Sequence, residues 1–223
     1  MMKQVFKIGI IDDDSSKATQ IMIKLTEGFS KATYEKQNKY SMFQFNPVEL
    51  EIMDDLEGMI QQVIKERLDC VLVDYKLSSY KNVDYSGVEF AKALGEALFD
   101  FPIFIITSYE DDLFVNEIFN AYQVFDFARY LNEESERIEI NYKIIEQILK
   151  TVKQRKKWED EIKILLPLAG TSQEIDSKLL ELDSNLERSI NGNNSIPSKM
   201  KRDLDSNKLN ELLNKIDAIL DKE

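Results

Sequence analysis

The sequence predicts an α/β protein: five parallel strands with helices on both faces of the sheet, followed by a C-terminal α-helical extension. Three observations predict it. Cys70-Val71-Leu72-Val73 and Ile103-Phe104-Ile105-Ile106 are apolar without a break, and short β-branched runs of this kind read as strands buried on both faces, usually parallel ones. Strand candidates alternate with helical patterns along the first part of the chain, which implies crossover connections. Beyond about Ile138 the pattern turns helical and stays so to the end.

The first strand candidate is Val5-Phe6-Lys7-Ile8-Gly9-Ile10-Ile11, ending in Asp12-Asp13-Asp14. Ala18, Ile21, Leu25 and Phe29 then recur at helical spacing, with Asp14 or Ser15 suited to the N-cap. Residues 31–47 are polar yet carry Tyr34, Tyr40, Phe43 and Phe45. Their end, Tyr40 to Ile52, alternates enough for a second strand with a bulge near Pro47. Leu56 to Arg67 reads as a helix, with Met59, Ile60, Val63 and Ile64 on one side. The third strand, Cys70 to Val73, stops at Asp74.

A polar loop from Ser78 to Ser86 follows, then a helix opened by Gly87 that carries Val88, Phe90, Ala91 and Leu94. Pro102 leads into the fourth strand, which ends in Thr107-Ser108. Leu113 to Tyr122 reads as a helix and Val124 to Leu131 as a fifth strand. In a parallel sheet with right-handed crossovers the C-terminal ends of all strands share one edge, where open α/β sheets place their ligands.

Composition narrows the functions. The 223 residues carry 41 acids against 29 bases, a net charge of −12, so binding to phosphate backbones is not expected without a local basic patch. Histidine is absent, which excludes Ser-His-Asp and Cys-His catalysis and His-ligated zinc. The chain carries no phosphohistidine of its own. Cys70 is the only cysteine and sits inside an apolar run, so no intrachain disulfide forms. No stretch reaches membrane-span length and residues 1–11 do not resemble a signal peptide. A cytoplasmic protein is expected.

The first, third and fourth strands bring Asp12-Asp13, Asp74 and Thr107 to one edge. Three carboxylates close together repel unless a cation neutralises them. A small cluster of hard oxygen ligands suits Mg²⁺. A cation beside a carboxylate nucleophile and a hydroxyl suits phosphoryl transfer to that carboxylate.

Ile8-Gly9-Ile10-Ile11-Asp12-Asp13-Asp14, Val71-Leu72-Val73-Asp74 and Pro102-Ile103-Phe104-Ile105-Ile106-Thr107-Ser108 together resemble the receiver domain of two-component response regulators. The resemblance covers Lys3 to about Leu131 and implies the flavodoxin-like strand order 2-1-3-4-5. It implies Asp74 as phosphoacceptor, Asp13 as a direct Mg²⁺ ligand and Asp12 acting mainly through water. The main-chain carbonyl of Lys76 would complete the protein's ligands, and Thr107 would bind the phosphoryl group. A histidine kinase or phosphotransfer protein would supply that group. No enzymatic activity is implied beyond phosphorylation and dephosphorylation of Asp74 itself.

The chain departs from the receiver pattern at the fifth strand. Receivers carry a Lys there, followed by Pro, but no Lys occurs between Lys92 and Lys143. Arg129 and Tyr130 are the alternatives for that position. The interval from Asp13 to Asp74 is longer than in receivers, with the excess near residues 31–47. The loop from Asp74 to Gly87 is extended, either as a surface insertion or as a lid in which Tyr80, Lys81 and Tyr85 cover the site.

The expected organisation is a receiver domain over residues 1–138 and a helical extension over 139–223. The extension begins with a long helix, ended by Pro167 and Gly170. Thr171-x-x-Glu174 has the capping-box pattern for a second helix with an Ile175, Leu179, Leu182, Leu186 and Ile190 stripe. After Asn191-Gly192-Asn193-Asn194-Ser195 a third helix is expected from Ser198 or later to Leu220. Such stripes pack on their own chain, or pair as a homodimer, a coiled coil or with another protein. No DNA-binding helix-turn-helix signature is present. Lys150, Lys153, Arg155, Lys156 and Lys157 make a basic cluster of the kind that is usually a solvated face. Two functions compete: a regulator phosphorylated on Asp74, acting through the tail or as a phosphate sink, and a pseudo-receiver scaffold or adaptor that does not switch.

Overall fold

The computed structural model describes residues 3–30, 32–77, 83–108, 123–196 and 200–201. The expected helix over 113–122, the loop tip with Tyr80 and Lys81, and nearly all of the third tail helix lie outside the described residues. Five strands form one parallel sheet in the order β2-β1-β3-β4-β5. They are β1 (Gln4–Ile11), β2 (Phe43–Glu49), β3 (Cys70–Asp74), β4 (Ile103–Thr107) and β5 (Val124–Asp126). The doubly wound fold expected from the sequence is the one observed.

The unbroken apolar runs have a direct cause. Side chains alternate between faces along a strand, and both faces are covered. Val71, Val73, Ile103 and Ile105 enter one core, against α3 (Leu56–Lys65) and α4 (Gly87–Ala97). Cys70, Leu72, Phe104 and Ile106 enter the other, with Phe6, Ile8 and Ile10. That second core is closed by α1 (Ser15–Glu27), through Ala18, Ile21 and Leu25, and by Ile140, Ile144, Ile145 and Ile148 of a long C-terminal helix.

Three expectations are corrected. Residues 34–40 form a helix, α2 (Tyr34–Tyr40), where the sequence offered only aromatics in a polar segment. Tyr40 is buried there and stacks on Phe29 at 4.9 Å. The second strand has no bulge at Pro47: Lys7↔Asn46, Ile8↔Pro47 and Gly9↔Val48 pair one to one. A proline is tolerated because β2 is an edge strand. The fifth strand stops at Asp126, and Phe127–Asn132 form a short helix, α5. Its start is set by the Asp126 carboxylate, which accepts from the Arg129 N–H at 2.7 Å.

The long helix α6 spans Glu134–Leu165. Two buried polar residues seat its first part. Arg137 donates to the carbonyls of Tyr130 and Leu131 at 3.3 and 3.1 Å. Asn141 donates to the Gly28 carbonyl at 3.1 Å and accepts from the Tyr130 hydroxyl at 3.2 Å. Buried polar groups are retained when partnered in this way.

The chain divides into two compact units, residues 1–153 and 154–223, so the division falls inside α6. Within the second unit, α7 (Gln173–Asn191) is capped by Ser172, which accepts from the Ile175 N–H. The cap is therefore one residue later than the Thr171 box. Among the described residues of this unit Trp158 and Leu182 are the buried apolar side chains, and the Arg155 Nε donates to the Ser189 hydroxyl at 3.1 Å. Among the described residues no helix is long and apolar enough to cross a membrane.

Candidate phosphoacceptor and metal site

Asp12 and Asp13 follow β1 directly and Asp74 is the last residue of β3, its neighbour in the sheet. One carboxylate oxygen from each of the three lies within 4.8 Å of the others. Asp12 and Asp74 are each 6% exposed, while Asp13 is half-buried. Thr107 closes β4, the next strand over, and is fully buried.

Local hydrogen bonds aim the carboxylates. Asp12 accepts from the Asp14 N–H at 2.8 Å, which tightens the turn into α1. Asp14 in turn caps α1 by accepting from the Ser16 N–H at 2.9 Å. Backbone N–H groups of Tyr75 and Lys76 bond the Asp74 carboxylate. Lys76 stands two residues after Asp74, and its N–H serves the carboxylate.

Gly87 decides how close α4 comes. A Cβ on Gly87 would lie 1.8 Å from the Asp74 carbonyl oxygen and 2.9 Å from its carbonyl carbon. The Gly87 N–H donates to the Tyr75 carbonyl at 2.9 Å. Ser86 and Glu89 form a reciprocal capping box that fixes the helix start. The sequence places Gly87 only at a helix start; its contact with the Asp74 backbone is a long-range feature.

Burial and mutual repulsion leave the carboxylates short of neutralising charge. Burial pushes Asp12 from the ordinary 3.8 up to about 7, with the Asp74 charge adding to the rise. Burial likewise raises Asp74 to about 6, and Asp13 adds to it. Both groups hold their protons more tightly folded than unfolded. Their contribution to stability is therefore full below about pH 4 and is lost as pH rises through about 6 and 7. The metal-free protein is expected to melt on the order of 5 °C lower at about pH 8 than at about pH 5. In Asp12→Asn that difference should shrink, and Mg²⁺ at the higher pH should restore the wild-type melting temperature. Thermal melting with and without a chelator checks both.

The fifth-strand candidates have partners of their own. The Arg129 guanidinium pairs with Glu136 at 3.0 Å and Glu133 at 3.5 Å. Tyr130 is fully buried in the second core, with its hydroxyl on Asn141. Both positions are helical, because the strand ends at Asp126 rather than at the expected Leu131. Glu49 and Glu51 line a cleft with Asp12, Asp13 and Ser15, which adds negative charge beside the carboxylates.

No family model and no curated protein matches the chain. Among solved structures it is similar to the anti-anti-sigma factor PhyR from Bartonella quintana, at 13% identity and a TM-score of 0.42. That match covers 70% of this chain and 51% of PhyR. The response regulator PhyR from Brucella abortus matches at 15% identity and a TM-score of 0.39, over 66% and 49% of the two chains. The signal receiver domain of a modulated diguanylate cyclase from Desulfovibrio desulfuricans G20 matches at 20% identity and 0.36. It covers 66% of this chain and 95% of that domain. The chain thus spans about half the length of the two PhyR proteins.

Proposed function

We propose that this chain is a response-regulator-like signalling protein that accepts a phosphoryl group on Asp74, with Mg²⁺ held by Asp12, Asp13 and Asp74. The observation that carries the reading is the three-carboxylate cluster at the end of β1 and β3, beside the buried Thr107 hydroxyl on β4. The donor set fits the ion: oxygen ligands of hard character, two of them with proton affinities raised by burial and charge. When bound, Mg²⁺ supplies neutralising charge for the carboxylates and the phosphoryl oxygens. The main-chain carbonyl of Lys76 is the fourth protein ligand in this reading.

At neutral pH the Asp74 carboxylate, at about 6, is mostly ionised and available as nucleophile. One of its oxygens attacks phosphorus, the phosphorus–nitrogen bond of a partner's phosphohistidine breaks, and the imidazole leaves with a proton from solvent. An acyl phosphate remains on Asp74, and Thr107 offers a hydroxyl to one of its oxygens. The phosphohistidine belongs to a histidine kinase or phosphotransfer protein, since this chain has no His. The chemistry stays on its own Asp74. Output runs through protein contacts of the helical tail, or the protein serves as a phosphate sink. The net charge of −12 argues against nucleic acid as the target.

Incubation with a small-molecule phosphodonor such as acetyl phosphate tests the reading by intact mass. One phosphoryl adduct is expected with Mg²⁺ and none with a chelator. The pairing of Arg129 with Glu133 and Glu136, and of Tyr130 with Asn141, favours the second reading, a scaffold that does not switch. Absence of both the adduct and Mg²⁺ binding would establish that one instead.

A further inference from the structure

We propose that Lys17, in the first turn of α1, binds the phosphoryl oxygen on Asp74 and so takes the place of the missing fifth-strand cation. The proposal rests on the reading of Asp74 as phosphoryl acceptor. It starts from a local mismatch. The first turn of a helix favours acids, because backbone N–H groups there carry partial positive charge. The first turn of α1 contains no acid, and Lys17 sits in it. A residue that opposes its local electrostatics points to a tertiary or functional reason.

The structure supplies that reason. The Lys17 Nζ lies 5.5 Å from the centroid of the Phe127 ring. Phe127 is the first residue after β5, and β5 ends at Asp126, the register partner of Thr107. The side chain therefore spans from α1 to the end of the fifth strand, on the Thr107 side of the carboxylates. Lys17 is half-buried, and among the described residues it makes no salt bridge. The ring holds the ammonium by a cation–π contact that leaves its N–H donors unspent.

The charge acts where phosphate would arrive. Lys17 is the foremost influence favouring the ionised form of Asp74, and it favours ionised Asp12 as well. An ammonium is a compact charge with three donors and suits a single phosphoryl oxygen. Arg129, tied to Glu133 and Glu136, is not needed for that task. Attachment of a phosphoryl group would draw the ammonium away from the Phe127 ring, which puts the response on α1 and α5.

The test compares wild type, Lys17→Met, Lys17→Arg and Lys24→Met. Lys24 is on the same helix but pairs with Glu27 at 2.9 Å, so its variant controls for lost charge. Two quantities are read: affinity for beryllofluoride, a phosphoryl mimic, with Mg²⁺, and the rate of phosphorylation by acetyl phosphate. Lys17→Met should lower both by about tenfold or more, with Mg²⁺ binding retained, Lys17→Arg partly recovered and Lys24→Met unchanged. Equal values for wild type and Lys17→Met would overturn the role of Lys17 and leave Asp74 as acceptor. A wild type that takes neither beryllofluoride nor phosphate would overturn the acceptor reading and this inference with it.

Discussion

Gly87→Ala is expected to destabilise the protein by about 3 kcal/mol or more and to impair phosphoryl acceptance. The added Cβ would stand 1.8 Å from the Asp74 carbonyl oxygen and 3.1 Å from the Val73 Cγ2. Neither the oxygen nor the β3 backbone gives way cheaply, since β3 is hydrogen-bonded to strands on both sides. Either α4 retreats and loses the Gly87 N–H bond to the Tyr75 carbonyl, or β3 shifts and carries Asp74 with it. Gly95→Ala, in the same helix, is the contrast. Among the described residues its Cβ would meet only Ile103 Cδ1, at 3.9 Å, so the change should stabilise the helix by about 1 kcal/mol. Thermal or urea melting of the two variants separates a glycine required for close approach from one that merely costs entropy.

Asp74→Asn is expected to abolish the phosphoryl adduct while leaving the fold intact. The amide keeps the shape and one oxygen acceptor for the Tyr75 and Lys76 N–H groups, but it is no nucleophile toward phosphorus. Losing a buried charge beside Asp12 and Asp13 also removes a repulsion. The metal-free variant should therefore be more stable than wild type at about pH 8, by on the order of 1 kcal/mol. Intact mass after acetyl phosphate treatment and melting in a chelator read the two effects. An adduct that persists in Asp74→Asn would move the acceptor to another side chain.

The parts legible in the sequence were those governed by a single dominant force. β3 and β4 are buried on both faces, so Cys70–Val73 and Ile103–Ile106 admit no polar residue. Asp12, Asp13, Asp74 and Thr107 interrupt those runs where the strands emerge, which makes the cluster legible in the sequence. Residues 31–47 resist assignment, and 124–131 read as strand throughout, because aromatics serve strands and helices alike. Tyr40 packs on Phe29 and Tyr142 from a helix, and Tyr130 enters the core from one. A local signal did exist at β5: Asp126 stands three residues before Arg129, the spacing of an N-cap. The roles of Gly87 and Lys17 depend on contacts with β3 and with Phe127. These distances along the chain carry no periodicity to read.

The most direct test of Asp74 as acceptor is borohydride trapping. Reduction of an aspartyl phosphate converts that residue to homoserine, which peptide mass spectrometry locates. After acetyl phosphate and Mg²⁺, homoserine is predicted at position 74 and at neither 12 nor 13. Unmodified Asp74, or homoserine at another acid, would contradict the account.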